Sequence, residues 1–210
     1  QAVDGNYKLD HRDRKLSNIA PFLGMDGPGT LASRIAMWHG KGSHAKIFDN
    51  EEDNIDLTLA RVFGFEMAEL LQDYVSLGPM LLYLFHRINM SLTGQPTMIV
   101  LDEAWALIDN DIFAPKLKDW LKVLRKLNAF VVFATQSVED ASKSSISDTL
   151  VQQTATQIYL PNLKATNAYK DIFMVTNREY SIIKNTDPSS RFFLIKQDRS
   201  EEHTSELQSL

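Results

Sequence analysis

The stretch TMIVLDEAW, residues 97–105, constrains the fold of this chain more than any other feature. Its apolar, β-branched run ends abruptly in two adjacent carboxylates, Asp102 and Glu103. A parallel strand that is buried on both faces has such a continuous hydrophobic run, and α/β proteins bind their ligands beyond the carboxyl ends of these strands. The stretch therefore predicts a core strand that is covered on both faces and has two acids at its carboxyl end.

Two interpretations of Asp102 and Glu103 are open at this point. In magnesium-nucleotide chemistry, Asp102 would hold the hydrated metal ion and Glu103 would orient or deprotonate an attacking water. Alternatively, the two acids mark the start of a helix after a core strand, where the helix dipole favours negative charge. Apolar runs that end in Asp-Glu are common, so the stretch alone does not decide between a metal site and a helix start.

Composition indicates a globular protein and excludes several kinds of site. The 210 residues suffice for one sizeable domain, with 44% hydrophobic and 23% charged residues. The net charge of −5 disfavours a chain that coats nucleic acid nonspecifically, although a local basic stripe or a DNA-lined pore built from several copies stays open. The absence of cysteine excludes disulfides and cysteine zinc sites, and it suits a reducing cytoplasm. We expect neither a signal peptide nor a membrane span, since no apolar run approaches about 18 residues.

Hydrophobic periodicity predicts a single α/β domain, with strands and helices alternating in its second half. A second apolar strand, 129–135, follows a helix that Pro115 begins and that ends near Asn128. Because this helix connects strands 97–101 and 129–135, we expect a right-handed parallel crossover. The other expected elements are a helix at 31–39, a strand at 61–65, helices at 66–75 and from Gly78-Pro79 to about 94, a helix at 138–150, a strand at 155–160, helices at 163–173 and 178–184, and a strand at 191–196.

The glycine-rich segment HGKGSH, residues 39–44, superficially suggests a phosphate cradle. A P-loop requires GxxxxGK[ST], whereas Ile35 stands five residues before Gly40, and Gly42 follows Lys41. No other window of the sequence matches the pattern. We therefore interpret the segment as a turn, and the 210 residues contain no Walker A motif.

A second polar ending follows the strand 129–135, where Gln136 and Ser137 come next. In a parallel sheet these side chains and the acids Asp102 and Glu103 would face the same crevice. A glutamine there can bond a γ-phosphate or a nucleophilic water, and so report whether the phosphate is present. An isolated glutamine is more commonly a helix-capping or loop amide, but the combination with two acids favours the functional interpretation.

A family resemblance is carried by seven stretches, which are FDN, FGFEMAELL, YLFHRI, TMIVLDEAWALID, WLKVLRKLNAFVVFATQS, QIYLPN and SSRFFLIKQ. In this order they resemble the C-terminal ATPase domain of the CagE/TrbE family, from about Leu16 to about Ser200. These motor ATPases of type IV secretion and conjugative transfer systems are related to the HerA/FtsK-like branch of RecA-type P-loop motors. The resemblance implies a partial RecA-like P-loop NTPase core over residues 1–198, an α/β fold with a mostly parallel sheet flanked by helices.

The resemblance also implies roles for five residues. Asp102 and Glu103 would be the Walker B pair, with Asp102 holding Mg²⁺ through water and Glu103 catalytic, and Gln136 would be the sensor glutamine. Arg125 is a candidate arginine finger that acts across a subunit boundary, with a helix C-terminal basic residue as the alternative. Arg191 begins a strand that the family shares and is the second candidate for contact with the nucleotide.

The function implied by the resemblance is an ATP- and Mg²⁺-dependent motor that energises substrate transport or pilus assembly. It would act at the cytoplasmic face of the bacterial inner membrane as a homo-oligomer, commonly a hexamer, with other type IV secretion components and a DNA or protein substrate. Two alternatives stay open: a nucleotide-independent scaffold module and a HerA/FtsK-like DNA-pumping ATPase.

Both ends of the chain depart from the family pattern. The Walker A motif of the family lies upstream of the stretches found here, so the chain is expected to be a fragment that does not hydrolyse ATP by itself. Residues 199–210, RSEEHTSELQSL, resemble the translation of a common sequencing-library adapter. A polar tail is the alternative, and no packed structure is expected there in either case.

Overall fold

The computed structural model describes residues 2–108, 110–136, 138 and 147–197. Within these ranges the chain forms two compact units, one ending at Glu66 and the other beginning at Met67. Ser137, most of the helix predicted at 138–150 and the tail from 199 lie outside the described residues.

Short helices joined by turns make up the described part of the first unit. They are α1 (Ala2–Asn6), α2 (Leu16–Ile19), α3 (Leu31–Ile35) and α4 (Ala45–Phe48), with 3₁₀ turns at His11–Asp13, Ala20–Leu23 and Ala36–Trp38. Helix α3 and the turn after it confirm the helix predicted at 31–39, and the Thr30 side chain accepts a hydrogen bond from the Ser33 N–H and caps it. The strand predicted at 61–65 is wrong, because the described residues of this unit contain no second strand to pair with it.

Asp49 joins three segments of the first unit through its carboxylate. Oδ1 accepts a hydrogen bond from the backbone N–H of Ser17 at 2.8 Å, and Oδ2 accepts one from the N–H of Gly40 at 2.9 Å. Partial burial acts to raise the pKa of Asp49, but these N–H donors and the nearby His39 together outweigh burial and lower it. The acidic turn that begins at Asp49 is thus anchored to the rest of its unit.

The lowered pKa of Asp49 predicts an acid-sensitive first unit. A carboxyl whose pKa is lower in the folded state contributes stability above its unfolded pKa, about 4, and loses that contribution as the pH falls through its folded pKa. We expect protection of the Ser17 and Gly40 amides from hydrogen exchange to fall over this pH range. Asp49→Asn should lower this protection at neutral pH and remove its pH dependence, whereas the exposed Asp26→Asn should do neither. Equal pH dependence in both variants would contradict the prediction.

In the described residues of the second unit, four strands form two small sheets. Strands β1 (Thr97–Leu101) and β2 (Ala129–Phe133) are parallel, and strands β3 (Thr156–Tyr159) and β4 (Leu194–Gln197) are antiparallel. The parallel pairing that we expected from the helical connection is confirmed. The α/β fold class, with a parallel sheet flanked by helices, is confirmed as well.

Helices connect and cover these strands. They are α5 (Ala68–Gln72), α6 (Tyr74–Ser91), α7 (Ala104–Ile108), α8 (Ala114–Leu124), α9 (Ser147–Gln153), α10 (Ala168–Phe173) and α11 (Asn177–Asn185), with 3₁₀ turns at Arg125–Leu127 and Pro188–Ser190. The predicted restart at Gly78-Pro79 is wrong: the Asp73 carboxylate accepts a hydrogen bond from the Ser76 N–H and begins α6 at Tyr74, so Pro79 lies inside the helix. Among the helices described, none has the length and apolarity that crossing a membrane requires.

The core of the second unit packs β1 and β2 against helices α6, α7 and α8. Phe85 of α6 lies edge-on to Phe113 and Trp120, with ring centroids 4.5 Å and 4.4 Å apart. The buried Asn110 fixes the entry into α8, because its Oδ1 accepts hydrogen bonds from the N–H groups of Ile112 and Phe113, each at 3.1 Å. Helix α8 is thereby set against the sheet with one apolar side buried.

Only one face of the parallel sheet is covered in the described structure. Ile99 and Leu101 of β1 are buried, whereas Met98 and Val100 are 61% and 55% exposed. The expectation of two covered faces is therefore wrong for the described residues, because helices α6 to α8 pack on the side that carries Ile99. The strand has the alternating burial of a sheet with one open face.

Leu117 offers a test of this core. Its side chain is fully buried on α8, so Leu117→Ala should lower the free energy of unfolding by about 2–5 kcal/mol through lost burial and a residual cavity. Val123→Ala on the same helix is the control, because Val123 is 44% exposed and should change stability by about 0.5 kcal/mol or less. Chemical denaturation followed by tryptophan fluorescence measures both, and similar losses in the two variants would contradict the described packing.

Candidate functional site

The carboxyl ends of β1 and β2 bring together the polar side chains that the sequence singled out. Asp102 and Glu103 follow β1 directly, and Gln136 comes shortly after β2. The two strands are in register up to the pair Leu101 and Phe133, so both chains leave the sheet at the same edge. We call this set of three residues the carboxyl-edge site.

Backbone hydrogen bonds extend the pairing of the two chains beyond the strands. The Ala134 N–H donates to the Leu101 carbonyl at 2.9 Å, and the Ala104 N–H donates to the Ala134 carbonyl at 3.0 Å. Asp102 and Glu103 therefore lie between two backbone positions that are both tied to Ala134. This anchoring limits how far the two acids can move relative to the loop after β2.

Glu103 has a left-handed backbone conformation, with φ at 49°. For a residue with a side chain this conformation costs about 1–2 kcal/mol, and such residues concentrate at functional sites when the surroundings hold them. Here Asp102 Oδ1 accepts a hydrogen bond from the Glu103 N–H at 3.0 Å, which stabilises the turn. The turn redirects the chain from β1 into α7, which begins at Ala104.

The side chains of Glu103 and Gln136 are in direct contact. Gln136 Nε2 donates a hydrogen bond to Glu103 Oε1 at 2.8 Å, across 33 residues of sequence. Parallel pairing predicted that the acids and Gln136 lie at one edge of the sheet, and the structure brings Glu103 and Gln136 into contact there. The acids also precede a helix, as the alternative interpretation expected, so the two interpretations describe one geometry.

Asp102 has the properties that a hydrated magnesium ion needs. Its side chain is exposed at the sheet edge, and among the residues that the structure describes, the neighbouring Glu103 N–H donates to its Oδ1 and no side chain engages its Oδ2. Mg²⁺ prefers oxygen ligands, keeps several of its waters and is usually held by one or two carboxylates together with substrate phosphates. The second carboxylate oxygen of Asp102 is thus suited to hold a metal-bound water.

Arg125 lies at the opposite edge of the parallel sheet from the carboxyl-edge site. It is exposed in the 3₁₀ turn Arg125–Leu127, just after α8 and just before β2. The five residues of β2, at about 3.3 Å each, separate this end from Gln136 by about 16 Å or more. Within one chain the structure does not bring Arg125 to Glu103. Its position also fits the alternative of a basic residue at a helix C-terminus.

Arg191 is exposed and stands apart from the described contacts of Glu103 and Gln136. The prediction that it begins a strand is wrong, because β4 begins at Leu194. Asp187 accepts a hydrogen bond from the Ser189 N–H and starts a 3₁₀ turn, which Arg191 closes with φ at 59°. Two residues separate Arg191 from the start of β4 at Leu194.

Sequence reasoning did not identify Ala134 as part of the site. An alanine after an apolar strand carries no chemical signal, and its role comes from its backbone N–H and carbonyl. The register between β1 and β2 reveals it, since Ala134 follows the residue that pairs with Leu101.

Comparison with known proteins identifies the family. Residues 35–192 match the family model described as the TraG P-loop domain. The type IV secretion system protein virB4 of Bartonella henselae is 36% identical over 204 residues, which cover 95% of this chain and 26% of that protein. The virB4 protein of Brucella suis biovar 1 is 35% identical over 179 residues, covering 82% of this chain and 22% of the relative.

A conjugal transfer protein is also similar to this chain. TrbE of Rhizobium radiobacter is 38% identical over 159 residues, which cover 73% of this chain and 19% of that protein. The chain thus spans about a quarter or less of the length of these curated relatives. It belongs to the TraG P-loop domain family and is similar to proteins of type IV secretion and conjugative transfer systems.

Proposed function

We propose that this chain is part of an ATP-hydrolysing motor that energises substrate transport or pilus assembly in a type IV secretion or conjugation system. The observation that carries the proposal is the contact between Glu103 and Gln136 at the carboxyl edge of a parallel sheet, with Asp102 beside it. Ligands of open α/β sheets bind at this edge. Membership of a P-loop domain family supports a nucleoside triphosphate as the ligand.

In this proposal the carboxyl-edge site activates water. Glu103 accepts a proton from a water molecule whose oxygen attacks the γ-phosphorus, while the bond between that phosphorus and the β–γ bridging oxygen breaks and ADP leaves. Asp102 would hold Mg²⁺ through water, and the bound ion would supply the positive charge that neutralises the phosphates. Gln136 is proposed to sense the γ-phosphate or the attacking water.

The phosphate-binding half of the site is proposed to come from outside these 210 residues. The sequence contains no GxxxxGK[ST], so it lacks the lysine, the hydroxyl and the glycine-rich backbone that cradle phosphates. The length of the relatives supports this proposal, because the part of the Bartonella henselae virB4 protein that this chain matches is 26% of that protein.

Arg125 is proposed as an arginine finger that reaches the site of a neighbouring copy. Its place at the opposite edge of the sheet leaves it no role at the Glu103 site of its own chain, whereas an exposed position suits contact across a subunit boundary. Such a finger requires a homo-oligomer, for which we propose a hexamer. Arg191, also exposed, is the second candidate for contact with the nucleotide.

We propose that the motor works at the cytoplasmic face of the bacterial inner membrane with other type IV secretion components. Two curated relatives are named as type IV secretion system proteins and a third as a conjugal transfer protein, which supports partners of this kind. The cargo is proposed to be DNA or protein.

Glu103→Gln in the intact protein tests the motor proposal. Loss of the base should lower the rate of phosphate release about 10²–10⁴-fold and leave ATP bound, because the amide removes proton acceptance but little volume. Phosphate release and retention of labelled ATP measure the two effects. Glu69→Gln, at an exposed position of α5, is the control and should hydrolyse ATP normally. Unchanged turnover in Glu103→Gln would remove Glu103 from this role, and absence of ATP binding in the wild type would favour a scaffold.

The 210-residue chain should not hydrolyse ATP by itself, because it lacks the phosphate cradle. Phosphate release by the purified chain at saturating Mg²⁺ and ATP, compared with Glu103→Gln, measures this. Robust turnover that the substitution abolishes would contradict the need for a P-loop outside these residues.

A further inference from the structure

The amide of Gln136 has a defined orientation in its contact with Glu103. Its Nε2 donates to Glu103 Oε1, so the amide carbonyl of Gln136 points away from that oxygen. The 2.8 Å separation between Gln136 Nε2 and Glu103 Oε1 is that of a well-formed hydrogen bond. The described contact therefore joins the Gln136 side chain directly to Glu103.

Packing does not force this contact. Gln136 is exposed and Glu103 is half-buried, so both side chains have room to adopt other rotamers. What brings them together is the backbone, since Ala134 is bonded to the residues on both sides of the Asp102-Glu103 turn. The left-handed turn at Glu103 then directs the carboxylate towards the loop after β2.

We propose that Gln136 is a positioning residue for Glu103; this rests on the proposed function and gives Gln136 the task of orienting the base in place of sensing the γ-phosphate. Its N–H engages one carboxylate oxygen and leaves the other as the acceptor for a proton from water. The half-buried carboxylate of Glu103 is thus held in one orientation, which is the ordering that an effective general base needs.

A double-mutant cycle in the 210-residue chain tests whether the bond exists in solution. Glu103→Ala, Gln136→Ala and the double variant are compared by urea unfolding. Each single substitution changes the unfolding constant by some factor, and the product of these two factors should differ from the factor measured for the double variant by about three-fold or more. The reason is that the second substitution removes a bond that the first has already broken. Relief or increase of backbone strain at Glu103 cancels in the cycle. Gln152, an exposed glutamine of α9, replaces Gln136 in a control cycle that should show no coupling. No coupling between Glu103 and Gln136 would overturn the proposal.

Kinetics of the intact protein separate positioning from phosphate sensing. Gln136→Leu should lower kcat about 10–100-fold, because the base is no longer oriented, and change the dissociation constant for an ATP analogue by about two-fold or less. Gln136→Glu has nearly the same shape but places a second carboxylate against Glu103, so it should lower kcat at least as much. Gln152→Leu should leave both constants unchanged.

A different pattern would overturn the positioning role. If Gln136→Leu weakens binding of the ATP analogue about ten-fold or more relative to ADP, the glutamine contacts the phosphate and is a sensor. If the intact wild type neither binds nor hydrolyses ATP, the motor proposal fails and the positioning role fails with it. The unfolding cycle distinguishes this case, because coupling between Glu103 and Gln136 would persist without any nucleotide chemistry.

Discussion

Parallel pairing between β1 and β2 is the interaction on which the candidate site and the core around it depend. Helices α6, α7 and α8 bury their apolar sides against one face of this pair. The same pairing continues past the strands through Ala134, whose N–H and carbonyl are bonded to Leu101 and Ala104. One backbone ladder therefore both supports the core and fixes where the chain leaves the sheet. The carboxyl-edge site is a direct consequence of that ladder.

Elements with local signals could be predicted from the sequence, and elements that depend on distant partners could not. Pro115 and the apolar spacing of α8 specify a helix, and it forms as expected. Residues 61–65 include apolar residues typical of a strand, but a strand also needs a second strand to pair with. The local sequence pattern does not supply that partner. Likewise, helix α6 begins before Pro79 because the Asp73 carboxylate caps it. Proline is favoured in the first turn of a helix, so the sequence alone predicted a later start.

Burial of β1 was mispredicted for a similar reason. An apolar run such as Thr97–Leu101 indicates that both faces of the strand can lie against apolar surroundings. Which faces are covered depends on the other elements present. In the described residues those elements lie on the Ile99 side, and Met98 and Val100 face away from them. The run identifies the strand correctly and leaves its surroundings undetermined.

At the site, strand direction could be inferred from the sequence, whereas register and side-chain contacts could not. Direction alone places Asp102, Glu103 and Gln136 at one edge and Arg125 at the other. Hydrogen bonding between Glu103 and Gln136 further requires that Leu101 pair with Phe133, because a shift of one residue would turn both side chains to other positions. The left-handed turn at Glu103 depends on the same register, since the bonds to Ala134 on both sides hold the strained backbone in place. The strained backbone at Glu103 is thus tolerated because backbone hydrogen bonds on both sides of the turn hold it in place.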